Sequence, residues 1–375
     1  MSAKSSKQDR FVIIMAGGRG ERFWPVSREK TPKQLITLLG GRSFLQQAVD
    51  RVLPVVPLEN IYIITNAVQA PEVRRQLPKL PKENVVAEPV GRDTCAAVAL
   101  GAAIVGAHSL TGVMAVLPAD HVIPSAKQFQ QVLNDAFDRA KQDPVIVTIG
   151  IPPTEPATGY GYIHVGETLT PVEGTKPSKT KLSKVLRFVE KPNEETAAAY
   201  LKSGDYLWNA GMFIWSVPTI LAGLRVHCPE LEEACQRWLK VAGTPRLDRV
   251  LAKEYPGIKK ISVDFALLEK ADNVVVADGG FAWDDLGAWT ALARHLKPDA
   301  HGNCVVGDLV QVDSENNLVF DARTKNRSTI TLVGITDSII VQTDDSLLVA
   351  HKSQAQKIKN LVRQLTESKA HKKLV

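Results

Sequence analysis

The feature that most constrains this chain is an alternation. Over roughly its first 150 residues, short β-branched and apolar runs take turns with helical patterns. Phe11–Met15 reads as a strand, Phe44–Leu53 as a helix, Ile61–Thr65 as a second strand, and a polar helix follows through Arg75. Val85–Ala87, Val113–Leu117 and Val145–Ile149 read as three more strands, with helices at Cys95–Ala107 and Phe129–Lys141 between them. The strands are nearly all apolar, as expected when helices cover both faces of a parallel sheet. The order βαβα therefore points to a doubly wound α/β layer. In such sheets the ligand sits outside the carboxyl ends of the strands. Three loops leaving strand ends matter most: Ala16–Lys33, Glu88–Thr94 and Pro118–His121.

The pattern then changes. Tyr160–Val165, Val185–Val189 and Met212–Trp215 read as strands of a mixed extension, with a Pro/Lys/Thr-rich loop at Pro171–Thr180. Helices are expected at Glu194–Lys202, Pro218–Arg225 and Leu231–Val241. Beyond Pro298 six short apolar runs recur: Cys304–Val306, Leu309–Val312, Leu318–Phe320, Ile330–Val333, Ile339–Val341 and Leu347–Val349. Short strands so closely spaced suggest a β-solenoid or small β-domain, although no exact internal repeat is visible. A basic helix, Ser353–Leu365, closes the chain, with Ile358, Leu361, Val362 and Leu365 as one apolar stripe. At about 150 residues per domain, 375 residues suggest two domains, here 1–298 and 299–375.

Charge excludes one class of partner. The net charge is +6, and from His351 onward seven Lys or Arg stand against one Glu, also +6. The first 350 residues thus sum to zero, which argues against a nucleic-acid binder; the tail reads as the solvated face of a terminal helix. The four cysteines form no C-x-x-C and have no His pair at zinc spacing, which suits free thiols in a reducing cytoplasm. Met1–Arg10 has no apolar core of a signal peptide, and Cys95–Ala107 is too short for a bilayer that needs about 20 residues, so no membrane role is expected.

Five motifs carry chemistry. Ala16-Gly17-Gly18-Arg19-Gly20-Glu21-Arg22 follows a strand, and successive amides of a glycine loop can cradle phosphates. It lacks the Gly-Lys-Ser/Thr ending of a P-loop and the third glycine of a dinucleotide fingerprint. Arg19, Arg22 and Lys33 (in Thr31-Pro32-Lys33-Gln34) suit a triphosphate better than a dinucleotide. An ordinary tight turn with surface arginines is the competing explanation. Pro118-Ala119-Asp120-His121 sets a carboxylate at a strand end, and Trp283-Asp284-Asp285-Leu286-Gly287 brings another; either Asp284 or Asp285 could complete a Mg²⁺ site with Asp120. In Phe188-Val189-Glu190-Lys191-Pro192, Lys191 can meet a phosphate and Glu190 can accept from sugar hydroxyls. In Trp208-Asn209-Ala210-Gly211-Met212, an amide before a glycine can read a hydroxyl pair. Capping and turn roles compete in each case, and no Ser/His/Asp triad or nucleophilic cysteine stands out.

Taken in order, these motifs resemble the sugar-nucleotide pyrophosphorylases. Arg22-Phe23-Trp24-Pro25-Val26-Ser27-Arg28, Pro32-Lys33-Gln34, Glu88-Pro89-x-x-Arg92, Pro118–His121 and Trp208–Phe213 are similar to the mannose-1-phosphate guanylyltransferase branch. The resemblance covers roughly Phe11 to Trp289 and extends to the C-terminal β-domain, with Asp93 standing where the branch usually has Asn. It implies a Rossmann-like nucleotidyltransferase domain of mixed sheet, a C-terminal β-helix-like domain with its terminal helix, and transfer of GMP from GTP to mannose 1-phosphate. Another base or hexose, or a non-catalytic regulatory homologue, are the alternatives. The implied catalytic residues are Arg22, Lys33 and Asp120. The implied nucleotide site comprises Ala16, Gly17, Gly18, Arg19, Gly20, Arg22, Lys33, Glu88, Pro89, Arg92, Thr94 and Asp120. Gly159, Glu190, Lys191 and Asn209 would hold the sugar phosphate, and Asp120 and Asp285 a Mg²⁺ or other divalent ion. Longer relatives append an isomerase domain; with the chain ending at Val375 a single activity is expected, in a cytoplasmic homodimer contacted at least partly through residues 299–375, which are expected to pack on the catalytic domain or on another subunit and to take no direct part in chemistry.

Overall fold

The computed structural model describes residues 8–170, 178–325 and 328–375, so most of the loop Pro171–Thr180 lies outside the described residues. Fifteen strands are described: β1 (Arg10–Met15), β2 (Ile61–Asn66), β3 (Val85–Glu88), β4 (Val113–Pro118), β5 (Ile146–Ile151), β6 (Tyr162–Thr168), β7 (Leu182–Val189), β8 (Tyr206–Ser216), β9 (Val274–Asp278), β10 (Cys304–Val306), β11 (Leu309–Val312), β12 (Leu318–Asp321), β13 (Ile330–Val333), β14 (Ser338–Gln342) and β15 (Leu347–His351). The chain packs as two compact units, and neither is a continuous stretch. One comprises 1–17, 48–119 and 123–283; the other comprises 18–47, 120–122 and 284–375.

The first unit holds a nine-stranded sheet in the order β3-β2-β1-β4-β8-β5-β9-β7-β6. β1, β2, β3 and β4 are parallel, as their unbroken apolar runs imply. β5 does not pair with β4. The long strand β8 enters between them, antiparallel to both, and makes the sheet mixed. The helix Asp93–His108 is buried on nearly every side and small-residue-rich, which lets it sink against the sheet. Its core includes Ile13, Met114, Leu100, Phe213, Trp215, Trp238 and Tyr255.

The second unit carries the C-terminal coils. β10, β12 and β14 pair in parallel, β11 and β13 form a second parallel pair, and β15 closes the first sheet antiparallel. Cys304 faces Leu318, so the first step of this β-helix-like coil advances 318 − 304 = 14 residues; Leu309 faces Ile330 and Leu318 faces Ile339, so the next advances 330 − 309 = 339 − 318 = 21. Buried Asn303 and Asn317 stack the turns. Asn317 Nδ2 donates to Asn303 Oδ1 at 3.0 Å and to the Ile335 carbonyl at 2.8 Å, and Asn317 Oδ1 accepts from the Ser338 amide at 2.9 Å. The terminal helix Ile358–Glu367 inserts Ile358 and Val362 into a core with Phe23, Trp24, Leu286, Trp289 and Phe320.

Candidate active site

In the second unit the glycine-rich segment wraps a cavity lined with charged side chains of both signs. Gly20 takes φ +61°, and a Cβ there would stand 2.6 Å from both Lys33 Cβ and Lys33 N, so only glycine lets the loop close on this lysine. Ser27 Oγ donates to the Gly20 carbonyl at 2.8 Å, and Gln34 Nε2 donates to the Gly18 carbonyl at 2.9 Å. Lys33 is buried, over the Phe23 and Phe44 rings at 5.9 Å. Its ammonium donates to Asp120 Oδ2 at 2.8 Å and to the backbone carbonyl of Asp285. Burial alone would raise the Asp120 carboxyl; the Lys33 ammonium outweighs it and holds the group below the ordinary carboxylate range. Arg22 Nη1 donates to the Gly287 carbonyl at 2.8 Å, and Arg19 extends to solvent beside Glu21 at 3.6 Å. Arg19, Arg22, Lys33, Asp120, Asp285 and Lys359 all line this cavity of about 330 Å³.

The two neighbouring aspartates part company. Asp284 is buried: Arg294 grips it with Nε and Nη2, both at 2.9 Å, His295 Nε2 stands 2.9 Å away, and the Leu286 amide donates at 2.8 Å. Burial opposes this charge, but the Arg294 bonds prevail and lower its pKa. Leu286 then takes φ +47°, a left-handed turn that costs a non-glycine residue about 1–2 kcal/mol. Asp285, on the other side of that turn, lines the cavity; a Cβ on Gly287 would lie 3.2 Å from its Oδ2 and 3.5 Å from Arg22 Nη1.

The first unit carries the remaining motifs. Ala16 continues β1, with its amide on the Ile64 carbonyl at 2.8 Å and its carbonyl accepting from Thr65 Oγ1 at 3.0 Å. Gly17 follows against Glu88, whose Oε2 lies 3.2 Å from the site of a Cβ. Glu88 is buried at the end of β3. Burial pushes its carboxyl up to about 7, although the Tyr255 hydroxyl, donating to Oε1, opposes the rise. Pro89 is exposed, Arg92 donates to the Pro256 carbonyl, and Thr94 Oγ1 accepts from the Val263 amide at 2.8 Å. Asp93 takes φ +65°, a conformation that Asp and Asn tolerate better than most residues.

A second group gathers around Asn209. Thr148 Oγ1 donates to its Oδ1 at 3.1 Å, the Gly211 amide donates to the same oxygen at 3.1 Å, and its Nδ2 donates to Asp264 Oδ1 at 3.0 Å. Burial, with the negative charge of Glu190 second, lifts Asp264 to about 6. Lys191 pairs with Glu190 and sits at φ +50° directly before Pro192. Gly161 stands in this group: a Cβ on it would be 2.5 Å from Glu190 Oε2 and 3.4 Å from Asn209 Cβ. Gly159 is in an exposed turn with nothing within 4 Å of its Cβ position. Asp264, Tyr255, Gly161 and Lys359 were not singled out from the sequence. No group of three or more His, Cys, Asp or Glu suited to a metal occurs among the described residues, and no described helix is long and apolar enough to cross a membrane.

This combination of fold and loops has known counterparts. The chain belongs to the nucleotidyl transferase family, whose model matches residues 11–301, and is therefore a nucleotidyltransferase; residues 307–365 match the MannoseP isomerase/GMP-like β-helix domain. Within that family it falls among the mannose-1-phosphate guanylyltransferases. It is 35% identical over 370 residues to a protein of that name from Escherichia coli, covering 96% of this chain and 77% of the relative. A namesake from Salmonella montevideo is 36% identical over 363 residues, covering 96% and 74%. Among solved structures, one described as mannose-1-phosphate geranyltransferase from Thermus thermophilus matches at TM-score 0.81 and 33% identity, covering 95% of this chain and 99% of that one.

Proposed function

We propose that this chain transfers GMP from GTP to mannose 1-phosphate, giving GDP-mannose and pyrophosphate. The observation that carries the reading is the cavity on which Gly20 lets the loop close, bringing Arg22 and Lys33 together, in a chain of guanylyltransferase ancestry. A phosphate oxygen of the sugar phosphate attacks the α-phosphorus in line, and the bond from that phosphorus to the pyrophosphate oxygen breaks. Both reactants are anions, so the work is positioning and charge stabilisation rather than covalent catalysis. Arg19, Arg22 and Lys33 hold the triphosphate. Glu88 Oε2 accepts from the guanine edge; Asn209, Glu190 and Lys191 hold the hexose phosphate. Incubation with mannose 1-phosphate and a panel of GTP, ATP, UTP and dTTP, followed by pyrophosphate release, tests this. Release with UTP or dTTP in preference to GTP would replace the reading by a related transferase, and release with none would leave a regulatory homologue.

The donor set fits a hard divalent cation. Asp120 and Asp285 offer carboxylate oxygens on one cavity, and Mg²⁺ takes one or two carboxylates and completes its shell with water and phosphate. Asp284 is consumed by Arg294 and His295, which leaves Asp285 as our choice for the second ligand. When bound, such an ion neutralises phosphate charge and polarises the α-phosphorus.

The same reading makes the enzyme cytoplasmic and homodimeric. The four cysteines are all free, as suits a reducing compartment. Val310, Val312 and Val333 are more than half exposed on the β11–β13 pair, an apolar face that a second copy would cover. Val312→Glu should shift the mass seen by light scattering to that of a monomer; an unchanged mass removes that face from the interface. We retain a division of the sequence near residue 298, supported by the meeting of the two family matches between 301 and 307.

A further inference from the structure

We infer that Lys359, on the terminal helix, is a phosphate-binding residue of the active-site cavity and contacts the pyrophosphate portion of the nucleoside triphosphate. The inference rests on the nucleotidyltransfer reading above and assigns a task to a region expected to have none. The helix Ile358–Glu367 is seated by Ile358 and Val362, which enter the core beside Phe23 and Trp289. It packs on the short turn Glu21–Phe23 that carries Arg22. Rotation by one residue from buried Ile358 directs Lys359 away from that core, and the side chain lines the cavity together with Arg19, Arg22 and Lys33.

Two observations separate Lys359 from an ordinary solvated lysine. The first is charge. The lining otherwise carries Arg19, Arg22 and Lys33 against Glu21, Asp120 and Asp285, so 3 − 3 = 0 with His121 neutral; Lys359 brings it to +1. The second is availability. Lys33 shares its ammonium with Asp120 and the Asp285 carbonyl, and Arg22 gives Nη1 to the Gly287 carbonyl, so each meets a phosphate with only its remaining donors. Lys359 is exposed at the cavity and has no hydrogen-bond or ion-pair partner among the described residues. A flexible ammonium at the mouth of a cavity suits a departing pyrophosphate, which needs a point charge that can follow it outward.

Calorimetric titration with magnesium pyrophosphate is the direct test, because it depends on neither the base nor the hexose. Lys359→Ala should weaken binding about fivefold to tenfold, as for one charged contact in a solvated cleft, and Lys359→Glu more. Lys359→Arg should restore most of the affinity, and Lys357→Ala, on the preceding turn, should bind like wild type. In turnover the KM for GTP should rise while the KM for mannose 1-phosphate holds. Unchanged pyrophosphate affinity in Lys359→Ala, or equal losses in Lys359→Ala and Lys357→Ala, overturns the inference. If wild type binds pyrophosphate, loses it on Lys359→Ala, and yet releases none from GTP and mannose 1-phosphate, the inference stands and the guanylyl reading falls.

Discussion

Replacing the two neighbouring aspartates one at a time should divide stability from chemistry. Asp284→Asn keeps the shape of a side chain that is 8% exposed and removes its charge. One oxygen becomes an NH₂ that cannot accept from Arg294 or His295, so at least one of the two 2.9 Å Arg294 bonds is lost. A charge-assisted bond is worth about 1.5–3 kcal/mol; the Arg294 side chain is 50% exposed and can rehydrate, so the lower half of that range applies. At about 1.3 °C per kcal/mol for a chain of 375 residues, the melting temperature should fall by roughly 2–3 °C while turnover at 25 °C remains near wild type. The Asp284 pKa is depressed in the folded state, so its contribution is present above the unfolded value of about 3.9 and disappears as pH falls through the folded one. The gap between wild type and Asp284→Asn should accordingly be full at pH 7 and close below about pH 4. Asp285→Asn reverses the pattern: melting within about 2 °C of wild type and turnover reduced at least about 100-fold, as when one stabilising charge leaves a reaction centre. Circular dichroism melts and coupled pyrophosphate release measure both. An Asp284→Asn protein that melts normally and is inactive, beside an active Asp285→Asn, refutes the assignment.

Three further outcomes follow from other parts of the molecule. Lys33→Ala should chiefly impair GTP use and Lys191→Ala chiefly mannose 1-phosphate use, read as separate KM changes; the opposite pattern, or none in either, contradicts the roles proposed. Glu88 has a folded pKa near 7 against an unfolded value of about 4.3, so its stabilising effect is complete below pH 4 and is lost as pH rises through 7. Glu88→Gln should therefore gain melting temperature relative to wild type on going from pH 5 to pH 8, with a raised KM for GTP; an equal difference at both pH values counts against it. Asn317→Ala strips the Ser338 amide of its acceptor, while the Asn303 oxygen keeps the residue-317 amide and the Ile335 carbonyl keeps the Glu315 amide; it should cost about 1–3 kcal/mol of stability in a urea titration, with little change in kcat at low temperature.

What the sequence disclosed, and what it withheld, divides along a physical line. Strands β1 to β5 and the helices between them were legible because a sheet covered on both faces writes itself as unbroken apolar runs. The six C-terminal strands are legible as short apolar runs between turn residues, although β11, β13 and β15 bury only alternate side chains; their unequal advance, 14 residues from β10 to β12 and 21 from β12 to β14, leaves no repeat of fixed period to read. The place of β8 between β4 and β5 depends on pairing across about a hundred residues to β4 and about sixty to β5, and no local pattern encodes it. Strand β9 shows in the sequence only as the short apolar run Val274-Val275-Val276, and the helix Leu247–Glu254 has just Leu247 and Leu251 buried, too few to write a clear period. Motif residues such as Lys33 and Asp120 were found because their neighbours on the chain are distinctive. Asp264 and Tyr255 reach Asn209 and Glu88 from distant segments and have no distinctive neighbours. The two aspartates after Trp283 could not be ranked because the partner that decides, Arg294, lies ten residues away on a short helical stretch. Lys359 is the sharpest case. The stripe of Ile358, Leu361, Val362 and Leu365 leaves it on the other face of the helix, where solvent is the natural reading. A helical pattern reports which residues avoid the core they pack on; it carries no information about what else faces them. Here the facing surface is the loop of Arg22, brought to the terminal helix by more than three hundred residues of intervening chain.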